Sequence, residues 1–260
     1  MSSALLKVSG LGYKAGSKTL LNDISFSINA GELVGIIGPN GAGKSTLMKC
    51  VSGFQGISSG EVFIKQQSLT TLPHLERARH LSYLPQYSEA AFPFSVMETI
   101  ALGFHVKQQS QIVSAKTISQ QTIETLTLLG IAHLQDRLVT ELSGGEKQLV
   151  NFARLLVQDA PLMLLDEPTA SLDIGHESQL MNVLYQACQK GNSALVAIHN
   201  LNTAAEFCDR LILVNQGAIM AEGKPNDVLT KDNIAYLYQD LVMVSQHPRS
   251  GNTIVSPYKR

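Results

Sequence analysis

The sequence predicts a mixed α/β fold: a doubly wound core, an antiparallel β subdomain at the N-terminus, and an α-helical subdomain inserted into the core. Three observations carry that reading. Ile24, Phe26 and Ile28 alternate with Ser25 and Ser27, and Val62 and Ile64 repeat the pattern, which is the period of a half-buried antiparallel strand. Leu33 to Ile37, Leu162 to Leu165, Ala194 to Ile198 and Leu211 to Val214 are short apolar runs without alternation, as parallel strands covered on both faces require. From Ser95 the period becomes helical, with Ile118, Ile123, Leu126 and Leu129 as one apolar stripe.

The elements follow in chain order. After the strand Leu33 to Ile37 comes a glycine-rich turn and a helix over Lys44 to Ser52, closed by Gly53. Ser95 with Glu98 has capping-box spacing and starts the helical block, which spans about Ser88 to Ala160. Its Lys107 to Gln121 part, rich in Gln and Ser, reads as a solvated surface. After Pro161 strands and helices alternate again, so the helical block is an insertion in one α/β unit. The expected division is a domain over 1–240 and a tail over 241–260; Val242 to Pro257 reads either as a small strand pair or as a frayed end.

Composition narrows the function. Lys plus Arg number 20 against 21 Asp plus Glu, a balance that gives no cationic field for a nucleic-acid backbone. The longest apolar runs fall far short of a membrane span, and Met1 to Lys7 lack the order of a secretory signal, so a cytoplasmic chain is expected. Cys50, Cys188 and Cys208 form no CxxC pair, which suits a reducing compartment. The histidines outside the site below show no HxxxH or HExxH spacing, and the methionines, Met48, Met97 and Met181 among them, read as core filler.

The first chemical motif is Gly38, Pro39, Asn40, Gly41, Ala42, Gly43, Lys44 and Ser45, which fits GxxxxGK[ST] between a predicted strand and a predicted helix. Glycines let backbone N–H groups converge on an anion at a helix N-terminus, Lys44 reaches outer phosphates, and Ser45 offers a hydroxyl to Mg²⁺. ATP or GTP is the expected ligand of this P-loop NTPase core. A dinucleotide site is the weaker rival, because GxGxxG spacing is absent.

The second is Asp166 and Glu167 at the tip of the strand Leu162 to Leu165, where open α/β sheets place their ligands. Alone, such a pair reads as solvated strand-end acids. Beside a phosphate loop, Asp166 can hold Mg²⁺ through water and Glu167 can orient and deprotonate the attacking water.

Leu142, Ser143, Gly144, Gly145 and Glu146 match the signature of ATP-binding cassette (ABC) ATPases, and the whole chain resembles one such cassette. The resemblance implies further roles. Tyr13 stacks on adenine, Thr46 joins Gly38 to Ser45 in the ATP site, and Gln86 joins Ser45 and Asp166 at the metal. Asp173 is the D-loop aspartate after Ser171 and Leu172, and His199 is the switch histidine beside the catalytic Glu167. Singly, Tyr13, Gln86 and His199 also read as a packed strand aromatic, a surface amide and a strand-end histidine. Ser143 and Glu146 additionally have capping-box spacing, so their segment can present N–H groups to a phosphate.

Two positions depart from the family pattern: Leu149 stands where an arginine is usual, Arg154 not being assumed to replace it, and Asn200 stands where an aspartate is common. The resemblance implies an ATPase subunit working as a dimer, with Ser143 to Glu146 acting on the partner copy's ATP. Two separate membrane permease subunits and an external substrate-binding protein complete the importer, and the cassette sits at the cytoplasmic face of the cell membrane. Phe92, Pro93 and Phe94 are either a groove for a permease helix or ordinary loop packing. Soluble repair or ribosomal cassettes are disfavoured, because heptads and a second signature are absent from the sequence, and a regulator without turnover is disfavoured by Glu167 with His199. Residues 172–176, 199–204 and 221–225 resemble importers of iron-siderophore complexes, haem or cobalamin, with molybdate importers a close rival.

Overall fold

The computed structural model describes residues 4–86, 93–109, 113–238 and 242–257. It opens with a meander, β1 (Leu6–Ala15) and β2 (Lys18–Ile28), turned at Gly16 with φ +60°. The core strand β3 (Leu33–Ile37) follows, then α1 (Lys44–Ser52), capped by Gly53 at φ 74°. Next come β4 (Ser59–Ile64), β5 (Gln67–Ser68), α2 (His74–His80) and β6 (Leu81–Leu84). The helical subdomain holds α3 (Val96–Ala101), α4 (His105–Gln108), α5 (Ala115–Leu128) and α6 (Gly144–Gln158). The chain re-enters the core through β7 (Leu162–Asp166), α7 (Ile174–Gln189), β8 (Ser193–Ala197), α8 (Leu201–Phe207), β9 (Arg210–Asn215) and β10 (Ala218–Gly223). It ends with α9 (Pro225–Val228), α10 (Lys231–Tyr238), β11 (Val242–Gln246) and β12 (Thr253–Pro257).

Two sheets organise these elements. One is antiparallel in the order β2-β1-β4-β5; the other runs β10-β9-β3-β8-β7-β6, parallel except for β10. The unbroken apolarity of β3 now has its reason: Val34 and Ile36 face a core shared with the antiparallel sheet and α1, while Leu33 and Ile37 face a second core shared with the helices. β7 divides in the same way, Leu162 and Leu164 against Met163 and Leu165. Each fully buried side chain of this kind contributes roughly 1.5–3 kcal/mol. Cysteines fill the same interior, and burial pushes the thiols of Cys50 and Cys188 up to about 11 and about 12, so they stay protonated.

The expected stripe on α5 needs correction at one position. Ile118, Leu126 and Leu129 face the core, but Ile123 is 42% exposed and Thr122 is fully buried in its place. Residues 118, 122 and 126 are spaced by four and share a face, whereas 118 and 123 are about 140° apart. The sequence pattern overlooked Thr122 because the residue is polar. Both capping boxes form, at Ser95 with Glu98 and at Ser143 with Glu146. Residues Val242 to Pro257 form a strand pair that packs on α8. No helix of the described residues is long and apolar enough to cross a membrane.

Candidate functional site

The strands β3, β7 and β8 end together, and the site is built on their carboxyl ends. From β3 the loop 38–43 leads into α1. Gly38 has φ +149°, and a Cβ there would lie 2.0 Å from the Val214 carbonyl oxygen; Gly43 has φ +106° and a Cβ there would meet a Leu21 methyl at 2.9 Å. Only glycine fits this turn and its close approach to the neighbouring backbone. Lys44 is 5% exposed and donates from Nζ to the carbonyls of Gly38 at 2.8 Å and Pro39 at 3.3 Å. Burial lowers its pKa, and the charges of Glu167 and Asp166 oppose that shift.

The two carboxylates have different surroundings. Asp166, at the end of β7, is 1% exposed and accepts a hydrogen bond from Ser45 Oγ at 3.1 Å. Burial raises its pKa, with the Glu167 charge adding to the rise and Ser45, Lys49 and Lys44 opposing it. Glu167 follows in the left-handed region at φ 51°, where a residue with a Cβ is strained by about 1–3 kcal/mol. Its N–H donates to the Ala197 carbonyl of β8 at 3.0 Å, and its Oε2 accepts from Gln86 Nε2 at 2.7 Å. The backbone turn points the carboxylate away from the strand direction and towards Gln86.

A cleft of about 520 Å³ opens over this group. Asn40, Gly41, Ala42, Gly43, Lys44, Ser45 and Thr46 line it, together with Gln86, Glu167 and His199. Lys18 and Leu20 of β2 also line it. These two were not found by motif reading; the signal available was their place on the strand that pairs with Tyr13's strand. Gly38 and Pro39 contribute the carbonyls that hold Lys44, and Asp166 is reached through Ser45. Tyr13 pairs with Leu21 and is packed against the first core, and it does not line the cleft.

The signature residues also lie outside their own chain's cleft. Ser143 caps α6: its Oγ accepts from Glu146 N–H at 3.3 Å, while its N–H and Oγ donate to Glu146 Oε2 at 2.8 and 2.7 Å. Those bonds hold the Glu146 carboxyl below the usual range. A Cβ at Gly145 would lie 2.9 Å from the Ser171 carbonyl oxygen, so glycine lets the start of α6 pack on the segment leading to Asp173. Asp173 caps α7, accepting from His176 N–H at 2.9 Å and pairing with His176 Nδ1 at 2.9 Å, and the bonds from His176 lower its pKa.

The two family departures acquire local explanations. Leu149 is 1% exposed and belongs to the helical core. Asn200 caps α8 through its Oδ1, accepting from Asn202 N–H at 3.0 Å and Thr203 N–H at 3.4 Å. An aspartate could accept the same bonds, so the asparagine keeps the cap and omits the charge. Arg154 is half-buried, and its guanidinium has no hydrogen-bond partner among the described residues; burial lowers its pKa. Phe92 lies outside the described residues, and Phe94 is 43% exposed. A more exposed aromatic lies elsewhere: Phe54, 77% exposed, rests on Tyr83 with ring centroids 5.3 Å apart, beside a groove of about 380 Å³ lined by His74, Arg77 and Tyr83.

A phosphate loop joined to Asp166 and Glu167, with a capped signature helix facing outward, defines an ATPase cassette. Comparison with known proteins agrees: the ABC transporter family profile matches residues 21–170. The chain belongs to the ABC transporter family and is one of its ATPases.

Among its relatives is a hemin import ATP-binding protein, HmuV, of Plesiomonas shigelloides, 36% identical over 264 residues, covering 95% of this chain and 99% of the relative. The Shewanella denitrificans protein of the same name is 38% identical, covering 90% and 93%. A cobalamin import ATP-binding protein, BtuD, of Halobacterium salinarum is 36% identical, covering 97% of this chain and 63% of the relative. Among solved structures, a metal-chelate type ABC transporter in an inward-facing conformation superposes with TM-score 0.81 at 24% identity, covering 99% of both chains. A dimeric bacterial ABC transporter cassette superposes with TM-score 0.77 at 25% identity, covering 85% of this chain and 99% of that one.

Proposed function

We propose that this chain is the ATP-hydrolysing subunit of an importer for an iron complex, haem in the first place, acting on separate membrane subunits from the cytoplasmic face. The observation that supports the cargo is the similarity to hemin import ATP-binding proteins over 95% of the chain and 99% of the relative. Cobalamin is the second reading, favoured by the relative of that name at the same identity.

The chemistry proceeds from the chain's own groups. Lys44 exchanges its bonds to Gly38 and Pro39 for outer-phosphate oxygens, and the N–H groups at the start of α1 hold the rest of the phosphate chain. Ser45 and Asp166, 3.1 Å apart with Gln86 and Glu167 near them, offer the oxygen donors a hard divalent cation such as Mg²⁺ prefers. Bound there, the cation supplies neutralisation of the phosphate charge. Glu167, oriented by Gln86, accepts the proton of the attacking water, and His199 contacts the terminal phosphate from the end of β8. Tyr13, half-buried on β1 and outside the lining of the cleft, is the aromatic that the resemblance offers for stacking on adenine.

The outward position of Ser143 to Glu146 supports a composite site, in which two copies close on two nucleotides and each signature faces the other copy's phosphates. Closure driven by the higher affinity of the closed dimer for ATP is the work delivered to the permease pair. An external binding protein delivers cargo to those permeases. The groove beside Phe54, Tyr83 and Arg77 supports permease docking at this face, because an aromatic 77% exposed beside a concave surface suits a partner helix.

Deletion of the gene tests the cargo. Growth is expected to fail on haem or a siderophore complex as the iron source and to recover with soluble ferrous iron. A defect confined to limiting cobalamin, with normal growth on those iron sources, reassigns the cargo to the second reading.

A further inference from the structure

His199 and Asp173 lie on different loops, yet the helices that begin just after them are tied together. Thr203 Oγ1 donates to Glu177 Oε1 at 2.7 Å, joining the first turn of α8 to the first turn of α7, and both side chains are half-buried. Asp173 and Glu177 are four positions apart, as are His199 and Thr203. The Glu177 N–H itself donates to the Asp173 carbonyl at 2.8 Å, and the Thr203 N–H donates to Asn200, next to His199. A single side-chain bond therefore connects two rigid first turns, each of which continues into a loop of the site.

The C-terminal strand pair braces one of these helices from outside. Asn202 of α8 donates from Nδ2 to the Val255 carbonyl at 3.2 Å and accepts from the Val255 N–H at 2.8 Å, treating β12 as a strand edge. Asn252 donates to Glu206 at 2.8 Å, and Thr253 donates to Asn226 from both its N–H, at 3.0 Å, and its hydroxyl, at 2.8 Å. α8 is only seven residues long, so on its own it has little stability. The contacts on both its flanks fix where its first turn sits.

We propose that Thr203 and Glu177 are positioning residues for turnover: their hydrogen bond, backed by the Asn202 clamp on β12, sets His199 relative to Asp173. They act through those two residues and touch no nucleotide. The inference rests on the reading in which His199 serves the terminal phosphate. The phosphate loop is built on β3 and α1, so loss of the bond changes the rate of hydrolysis and leaves nucleotide affinity alone.

The experiment is a double-mutant cycle on the purified full chain, reading kcat and KM for ATP, with His199→Ala as the reference. Thr203→Val and Glu177→Ala are each expected to lower kcat about 5-fold with KM unchanged, and the double variant to be no worse than either alone. Thr203→Ser and Glu177→Gln, which keep a donor and an acceptor, restore kcat to within about 2-fold. Asn202→Ala gives a smaller loss of the same kind. A purely structural role would lower thermal stability without this pattern in kcat. Three results overturn the proposal: a wild-type kcat in Thr203→Val while His199→Ala is defective, multiplying losses in the double variant, or no rescue by Thr203→Ser. If His199→Ala turns over normally, the reading of the switch histidine falls first and the proposal falls with it.

Discussion

The phosphate-loop region and the signature region perform opposite kinds of work with helix N-termini. At α1 the functional groups are buried and interlocked: Lys44 at 5% exposure on its own loop's carbonyls, Asp166 at 1% on Ser45. At α6 they are on the surface, held by a capping box whose members bond chiefly to each other. The first region holds enclosed charged groups at a cleft, whereas the second is a locally satisfied cap outside that cleft. An enclosed half and an exposed half in one chain fit the proposed site completed by a second copy.

The largest expected effect tests the enclosed half. Glu167→Gln keeps the bond to Gln86 and loses the base, so ATP binding is retained while hydrolysis falls about 10²- to 10⁴-fold. Light scattering with ATP is expected to show accumulation of a doubled mass, and turnover at the wild-type rate removes Glu167 from the mechanism.

The exposed half comes next. Ser143→Arg is expected to lower ATPase activity at least about 10-fold with ATP binding intact, and Lys44→Ala to weaken ATP binding about 10- to 100-fold, as loss of a charged contact does. Each is defective alone. Mixed in equal amounts they form dimers with one site carrying both changes and one carrying neither, so recovered activity supports composite sites. A mixture as inactive as its parts argues that the two regions do not meet across copies.

Smaller effects concern stability. The raised pKa of Asp166 means that the folded protein binds its proton more tightly than the unfolded chain does. Stability is therefore lost as pH rises from the unfolded carboxylate range through the folded pKa, and the cost is fully present above both. Asp166→Asn is expected to raise the unfolding free energy of the nucleotide-free protein by about 0.5–2 kcal/mol at neutral pH while abolishing hydrolysis. Denaturant titrations at neutral and acid pH check this: the gain is expected to shrink in acid, and a gain that grows there contradicts the assignment.

The smallest effect distinguishes the two capping boxes. Ser95→Ala and Ser143→Ala are each expected to cost about 1 kcal/mol of stability. Only Ser143→Ala is expected to slow hydrolysis, because the Ser95 box has structure alone to maintain. Equal loss of turnover in both reduces the signature to a cap.

What could be read from the sequence was local. The strand, loop and helix around Lys44 and both capping boxes carry their own signals in nearby residues, so spacing was enough to find them, and Asp166 with Glu167 became legible once the phosphate loop was read beside them. Thr122 was missed because its burial in α5 depends on which face meets α6, and apolarity does not report that for a threonine. Lys18, Leu20 and the bond from Thr203 to Glu177 depend on how distant segments come together, which one sequence does not display. Tyr13 shows the reverse case: its motif position was legible, while the packing of its partly buried ring against the first core was not.

The left-handed backbone at Glu167 bears on how such a chain would decay. Selection for a folded product alone would favour glycine at that position, since glycine adopts φ 51° without strain. A lineage that came to use the cassette as a passive nucleotide sensor would be drawn towards losing its base first and would gain stability by doing so. Stability and the proposed base are therefore opposed at residue 167, where a carboxylate is carried on backbone that glycine would adopt without strain.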